Sequence, residues 1–127
     1  MARPRAKDLT ERELEIMHVF WEQEVLTALE VRDRLAAAGL DRTYTTIATL
    51  VRILHDKGFL KQENAERPFR YRAVRSYEEV SGRLLGDVLR RVFRGSREEL
   101  LLRLVEQRKL STQERMVLQD ILKERGQ

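Results

Sequence analysis

Apolar residues recur every three or four positions through the first 58 residues, and this spacing predicts three helices. Thr10 and Thr27 each stand three residues before a glutamate, the spacing of a capping box that starts a helix. The apolar faces of the first two helices comprise Leu14, Ile16, Met17, Phe20 and Trp21, then Val31 and Leu35. Gly39 is placed to end the second helix as a left-handed C-cap.

The third helix is predicted within residues 43–58, TYTTIATLVRILHDKG. Its core-facing stripe comprises Ile47, Leu50, Val51 and Leu54, and Gly58 stops it. The opposite face carries Thr45, Thr49, Arg52 and Asp56. Four threonines crowd the leading turns, although threonine is a mediocre helix former. These short hydroxyl side chains therefore indicate that the exposed face of this helix contacts a partner molecule.

After the third helix the pattern changes to period two, which predicts strands at 59–63 and 69–74 joined by residues 64–68. In the second strand Phe69 and Tyr71 face one way, and Arg70 and Arg72 face the other. Three helices followed by a β-hairpin indicate a winged helix-turn-helix, in which the hairpin of residues 59–74 is the wing. The two helices joined by a short connection would be weak evidence alone, because many helical proteins contain them.

The rest of the chain is predicted to be helical, at roughly 77–93, 97–108 and 112–125, after caps at Ser76, Ser96 and Ser111. Its apolar stripes comprise Tyr77, Val80, Leu84, Val88 and Val92, then Leu100, Leu101, Leu104 and Val105, then Met116 (or Val117), Leu118, Ile121 and Leu122. About 50 residues bury such stripes poorly alone. Either a second copy covers them or they fold back onto the N-terminal domain.

The sequence thus predicts a mainly α protein with a small β-hairpin. Residues 1–75 would form the winged-helix domain, and residues 76–127 a helical dimerisation domain.

The chain has 127 residues and a net charge of +4, and its positive charge is unevenly distributed. Residues 42–75 have a balance of +5, against −3 for residues 1–41 and +2 for residues 76–127. Such an excess favours an anionic partner, although it could also be a solvated surface. There is no cysteine, which excludes disulfides and thiolate metal sites. No membrane span or signal-peptide core is evident, so we expect a soluble cytoplasmic protein. We also expect no cofactor and no metal.

The third helix and the hairpin have side chains suited to DNA. A helix N-terminus attracts phosphate, threonine can bond phosphates or base edges, and small residues allow close approach to the major groove. The predicted DNA-binding residues are Thr43, Tyr44, Thr45, Thr46, Ala48, Thr49, Arg52, Arg67, Arg70 and Arg72. An N-terminal arm with Arg3, Arg5 and Lys7 is a further candidate for backbone contacts.

Three alternatives to DNA contact remain open for these residues. Thr43 or Thr46 could simply cap the third helix. Tyr44 could pack against the first helix, and the wing arginines could form a solvated strand face.

Two stretches, LTERELEIMHVFWEQEVLTALEVRDRL and YTTIATLVRILHDKGFLKQENAERPFRYRAV, resemble the BlaI/MecI/CopY family of bacterial repressors, also called penicillinase repressors. The resemblance runs from about Leu9 to the C-terminus and is most specific across residues 43–74. It implies a homodimer whose winged helices bind dyad-symmetric operators with TACA/TGTA-like half-sites over promoters. It also implies half-site contacts from Thr45, Thr46 and Ala48.

The chain departs from the best-known members of that family at several positions. Those members have basic residues where this chain has Thr45 and Ala48. They are inactivated by a regulatory protease at an Asn-Phe bond, and the matching position here is Arg103-Leu104. The copper-responsive branch has a C-terminal cysteine cluster that this chain lacks.

We therefore expect a transcriptional repressor that binds a palindromic operator and blocks promoter access. An enzyme is not expected, because His18 and His55 are the only histidines and neither has a motif that pairs it with a serine or carboxylate. The alternatives are a winged-helix protein-interaction module, a non-specific DNA-binding protein and, with no positive sign, a reader of double-stranded RNA.

Overall fold

The computed structural model describes residues 9–125, so Arg3, Arg5 and Lys7 of the expected basic arm lie outside the described residues. In chain order its elements are α1 (Glu11–Glu22), β1 (Leu26–Thr27), α2 (Ala28–Ala37), α3 (Tyr44–Asp56), β2 (Leu60–Gln62), β3 (Arg70–Ala73), α4 (Tyr77–Arg91), α5 (Arg97–Gln107) and α6 (Thr112–Arg125). The prediction of a mainly helical protein with a wing is confirmed.

The predicted caps fix where α1 and α2 start. The Thr10 hydroxyl accepts from the Glu13 backbone N–H at 3.1 Å, and the Glu13 carboxylate accepts from the Thr10 N–H at 2.9 Å. Thr27 and Glu30 repeat this reciprocal pair before α2. Gly39 and Gly58 both have φ of 89°, a left-handed conformation that ends α2 and α3 at little steric cost.

The small sheet has three antiparallel strands in the order β1-β3-β2. The predicted hairpin is β2 and β3, with Leu60 opposite Ala73 and Gln62 opposite Tyr71. Strand β1 was not predicted, because two residues are too few to show a period-two pattern. It places Leu26 opposite Tyr71 and joins the start of α2 to the wing.

The described residues divide into two compact units within α4, between Ser81 and Gly82. The core of the N-terminal unit is apolar and comprises Ile16, Met17, Phe20, Val31, Leu35, Ile47, Val51, Leu54, Phe59 and Val80, among others. Val80 was expected on the dimerisation stripe, and this placement is wrong. Its side chain is 1% exposed in the single chain, so it belongs to the core of the N-terminal unit.

Most of the large apolar residues described in the C-terminal unit are exposed in the single chain. In α5 and α6 no described side chain is buried. Residues at least 41% exposed include Val88, Val92, Leu101, Leu104, Val105, Leu118, Ile121 and Leu122, which are all on the predicted stripes. Leu84 is half-buried and Tyr77, at the start of α4, is 50% exposed. In the described part of the chain, no helix is long and apolar enough to cross a bilayer.

Candidate nucleic-acid interface

Helix α3 starts on a hydroxyl cap. The Thr43 hydroxyl accepts from the Thr46 backbone N–H at 3.2 Å and also donates to the Thr46 hydroxyl at 3.0 Å. Thr43 is therefore the N-cap, which decides between the two alternatives for capping. The first turn contains no acidic residue, so the partial positive charge of the helix N-terminus is not offset there.

The outer face of α3 is exposed, as predicted. Thr45, Thr49 and Arg52 are exposed, and within residues 9–125 their side chains make no hydrogen bond or ion pair. The same helix buries Ile47 and Val51 on its inner side. The sequence thus gives α3 one face for the core and one face whose polar groups are available to a partner.

Asn64 organises the loop of the wing. Its side-chain amide donates to the carbonyl oxygens of Glu66 and Pro68 at 3.0 and 3.1 Å, and its Oδ1 accepts from the Arg70 backbone N–H at 2.8 Å. In the same loop, the Arg67 guanidinium lies 5.2 Å from the centre of the Phe69 ring. That contact holds Arg67 against an aromatic face while leaving its charge unneutralised.

A cleft of about 540 Å³ separates α3 from the wing. Its lining includes Tyr44, Ala48 and Arg52 from α3, and Arg67 and Tyr71 from the wing side. Tyr44 is 49% exposed and faces this cleft, which argues against the alternative that it packs on α1. Burial raises the pKa of the Tyr71 hydroxyl, and the positive charges of Arg67 and Arg52 partly offset that rise.

Ion pairing divides the eight basic residues of the +5 region into two groups. Four have carboxylate partners: Arg42 with Glu15, Lys57 with Glu13, Arg72 with Glu63 and Arg75 with Glu79. The four others, Arg52, Lys61, Arg67 and Arg70, have no ion pair within the described part of the chain. The positive charge available to a partner is therefore concentrated on α3 and the wing.

This division changes the predicted site at two positions. Arg72 is paired with Glu63, so it offers an anion less than Arg67 or Arg70 does. Lys61 was not among the predicted residues, although it stands directly opposite Arg72 in the sheet and so shares the face of Arg70 and Arg72. The alternation of β2 was the signal that could have identified it, because Lys61 is the outward position of that short strand.

The arrangement suits a nucleic acid duplex. With 13 residues, α3 is about 20 Å long, and a helix of ordinary diameter fits the major groove of B-DNA. Exposed threonines on that helix can meet base edges, while cations on a flanking wing can meet phosphates.

Comparisons with known proteins agree with this geometry. A family model described as penicillinase repressor matches residues 9–124. Methicillin resistance regulatory protein MecI of Mammaliicoccus sciuri is 24% identical over 115 residues, which cover 91% of this chain and 93% of that protein. The MecI protein of Staphylococcus aureus strain N315 matches with the same identity and coverage.

Among solved structures, the DNA-binding domain of the repressor BlaI is similar, with a TM-score of 0.51 and 25% identity over 61% of this chain and 93% of that domain. A complex structure of hsRosR-SG has a TM-score of 0.56 over 95% of each chain. That similarity concerns the fold, because the identity is 16%.

Proposed function

Because the chain belongs to the penicillinase repressor family, we propose that it is a homodimeric transcriptional repressor that binds a palindromic operator and blocks access to a promoter. The chain is a DNA-binding transcriptional regulator, and its family is one of repressors rather than enzymes. Its place of action would be the cytoplasm, where promoter DNA is found.

The observation that carries the proposal is the pairing pattern of the cations. Arg52, Lys61, Arg67 and Arg70 have no carboxylate partner in the described residues, and they lie on α3 and the wing. A winged helix used only to bind protein would not need this concentration of unpaired positive charge beside an exposed threonine face. In the proposed complex α3 enters the major groove and the wing follows the backbone.

Dimerisation is supported by the apolar surface of the C-terminal unit. Leu101, Leu104, Ile121 and Leu122 are 47–60% exposed in the single chain. A helical unit that exposes this many large apolar side chains usually carries an interaction site. The residues proposed for the dimer interface are Tyr77, Leu84, Val88, Val92, Leu101, Leu104, Val105, Leu118, Ile121 and Leu122. A symmetric dimer would read two half-sites about one helical turn apart.

Loss of the dimer would release the operator, because a monomer keeps only half of the contacts. Cleavage by a regulatory protease between Arg103 and Leu104 would have this effect, since it cuts α5 and detaches α6 from the chain. That bond lies inside a helix, where Arg103 is 3.5 Å from the carboxylates of both Glu99 and Glu106. A protease at this position would therefore act on a locally unfolded α5.

Selection of bound duplexes from a random pool, followed by a salt series, tests the proposal. A palindromic consensus with half-sites one turn apart, whose binding weakens steeply with salt, is expected. Random winners with the same salt dependence would indicate a non-specific DNA-binding protein. If a folded protein retained no DNA, the winged helix would be a protein-interaction module.

A further inference from the structure

Two glutamates of α1 hold the two ends of α3. Glu13 and Glu15 are two positions apart, so they point about 200° apart around α1. Glu13 reaches Lys57, the C-cap of α3, and Glu15 reaches Arg42, the residue just before its N-cap. Each end of the helix that faces DNA in the proposed complex is thus tied to the same neighbouring helix.

The geometry of both contacts is well defined. The Lys57 ammonium donates to both oxygens of Glu13, at 2.8 and 3.1 Å, and the Glu13 side chain is only 4% exposed. The Arg42 guanidinium donates two hydrogen bonds to the Glu15 carboxylate, and this arrangement is a fork. Its Nε is 3.2 Å from Oε1 and its Nη2 is 2.9 Å from Oε2. Lys57 and Arg42 are each 20% exposed at the side chain. Enclosed pairs of this kind are screened less by salt than surface pairs, and the fork also fixes direction.

We propose that Glu13 and Glu15 are positioning residues for sequence recognition: they set the orientation of α3 through Lys57 and Arg42. The inference rests on the proposed function and deepens it. Reading base edges requires donors within hydrogen-bond reach, so a small rotation of α3 removes specific contacts. Non-specific binding to phosphates tolerates such a rotation, because it depends mainly on charge.

A purely electrostatic effect and the positioning role predict opposite changes in operator affinity for Glu15→Gln. Removal of a negative charge from the protein should strengthen binding to any DNA. The positioning role predicts weaker binding to the selected operator, because the Arg42 fork is lost. Glu15 also receives an exposed contact from Arg12 at 3.3 Å, which lies within α1 and does not reach α3.

The experiment measures the affinity of the full chain for two duplexes at the same salt concentration. One duplex is the winner from the random-pool selection, and the other is a scrambled sequence of equal length. Glu15→Gln is expected to lose at least about fivefold in operator affinity, comparable to the loss of one direct base contact, with no loss on the scrambled duplex. Glu11→Gln is the matched control, since Glu11 is an exposed α1 glutamate with no ion pair in the described residues.

Arg42→Lys separates positioning from direct contact and serves as the second variant if Glu15→Gln folds poorly. Lysine keeps the charge for a phosphate but cannot form the fork. A lower ratio of operator affinity to scrambled-duplex affinity in Arg42→Lys supports the proposal. Unchanged ratios in both variants would overturn it while leaving the repressor assignment intact. A parent protein that selects no sequence would overturn both.

Discussion

The indole Nε1 of Trp21 donates a hydrogen bond to the carbonyl oxygen of Arg75 at 2.9 Å. Trp21 is near the end of α1, whereas Arg75 lies between β3 and α4. The Tyr77 ring packs edge-on against Trp21, with 5.4 Å between the ring centroids. The hydrogen bond and the ring contact therefore hold the start of α4 against α1, within the N-terminal unit.

Trp21→Phe tests this hydrogen bond, because it keeps an aromatic ring and removes the donor. The free energy of unfolding is expected to fall by about 1–3 kcal/mol, since the Arg75 carbonyl loses its partner. Urea denaturation followed by circular dichroism measures it. Tyr44→Phe is the control: its side chain is half exposed and its hydroxyl makes no hydrogen bond in the described residues, so a change within about 0.5 kcal/mol is expected. Equal stability of Trp21→Phe and the parent would contradict the prediction.

Neighbouring threonines at the start of α3 should separate stability from DNA binding. Thr43→Ala removes the N-cap and is expected to cost about 1 kcal/mol of unfolding free energy. Thr45→Ala removes an exposed hydroxyl with no hydrogen bond in the described residues, so stability should stay within about 0.5 kcal/mol. Its operator affinity should nevertheless fall. Denaturant unfolding measures the stability, and operator titration measures the affinity. A Thr45→Ala protein that loses stability but binds the operator normally would contradict the prediction.

The sequence predicted local features of the fold better than long-range ones. The Thr10 and Thr27 capping boxes follow from residues three apart, and both occur in the structure. In contrast, Val80 has the same helical spacing as Val88 and Val92, yet only Val80 is buried in the N-terminal unit. Periodicity identifies an apolar face, but it does not say what that face packs against.

The same limit applies to the candidate interface. A count of charges placed the positive excess in residues 42–75, but it could not show which cations have partners. Arg42 and Lys57 pair with glutamates 27 and 44 positions away, and such separations leave no local signal. The three-dimensional contacts were needed to distinguish structural cations from those available to DNA.

Arg52 and Arg67 should affect DNA binding in different ways. Arg52 lies on the outer face of α3, so Arg52→Ala is expected to cost about 1–3 kcal/mol of operator binding and to relax sequence preference. Arg67 lies on the wing, so Arg67→Ala should weaken binding to all sequences and reduce the slope of log affinity against log salt by about 1. Titrations of operator and scrambled duplexes over a salt series measure both. If Arg52→Ala weakened binding to all sequences equally and Arg67→Ala relaxed the sequence preference, α3 would lie on the duplex in a different orientation from the one proposed.

Tyr71 gives the N-terminal unit a specific alkaline pH dependence. Burial raises the pKa of its hydroxyl above the ordinary value of 10.0, so ionisation is easier in the unfolded chain. The resulting stability is present below pH 10.0 and is lost as the pH rises through the folded-state pKa. Tyr71→Phe should remove this contribution, so its unfolding free energy should fall less steeply with alkaline pH than that of the parent. Parallel pH profiles for the two proteins would rule out the effect.

The proposed dimer interface can be disrupted at a single position of α6. Ile121 is 47% exposed in the single chain and lies on the predicted stripe, whereas Gln119 is an exposed polar residue of the same helix. Ile121→Glu would bury a charge in an apolar interface, which is unfavourable, so we expect monomers in sedimentation equilibrium at micromolar concentration. Gln119→Glu adds the same charge and should remain dimeric. The parent should also unfold at a temperature that rises with protein concentration, and Ile121→Glu should lose that dependence. A dimeric Ile121→Glu protein would contradict the placement of Ile121 in the interface.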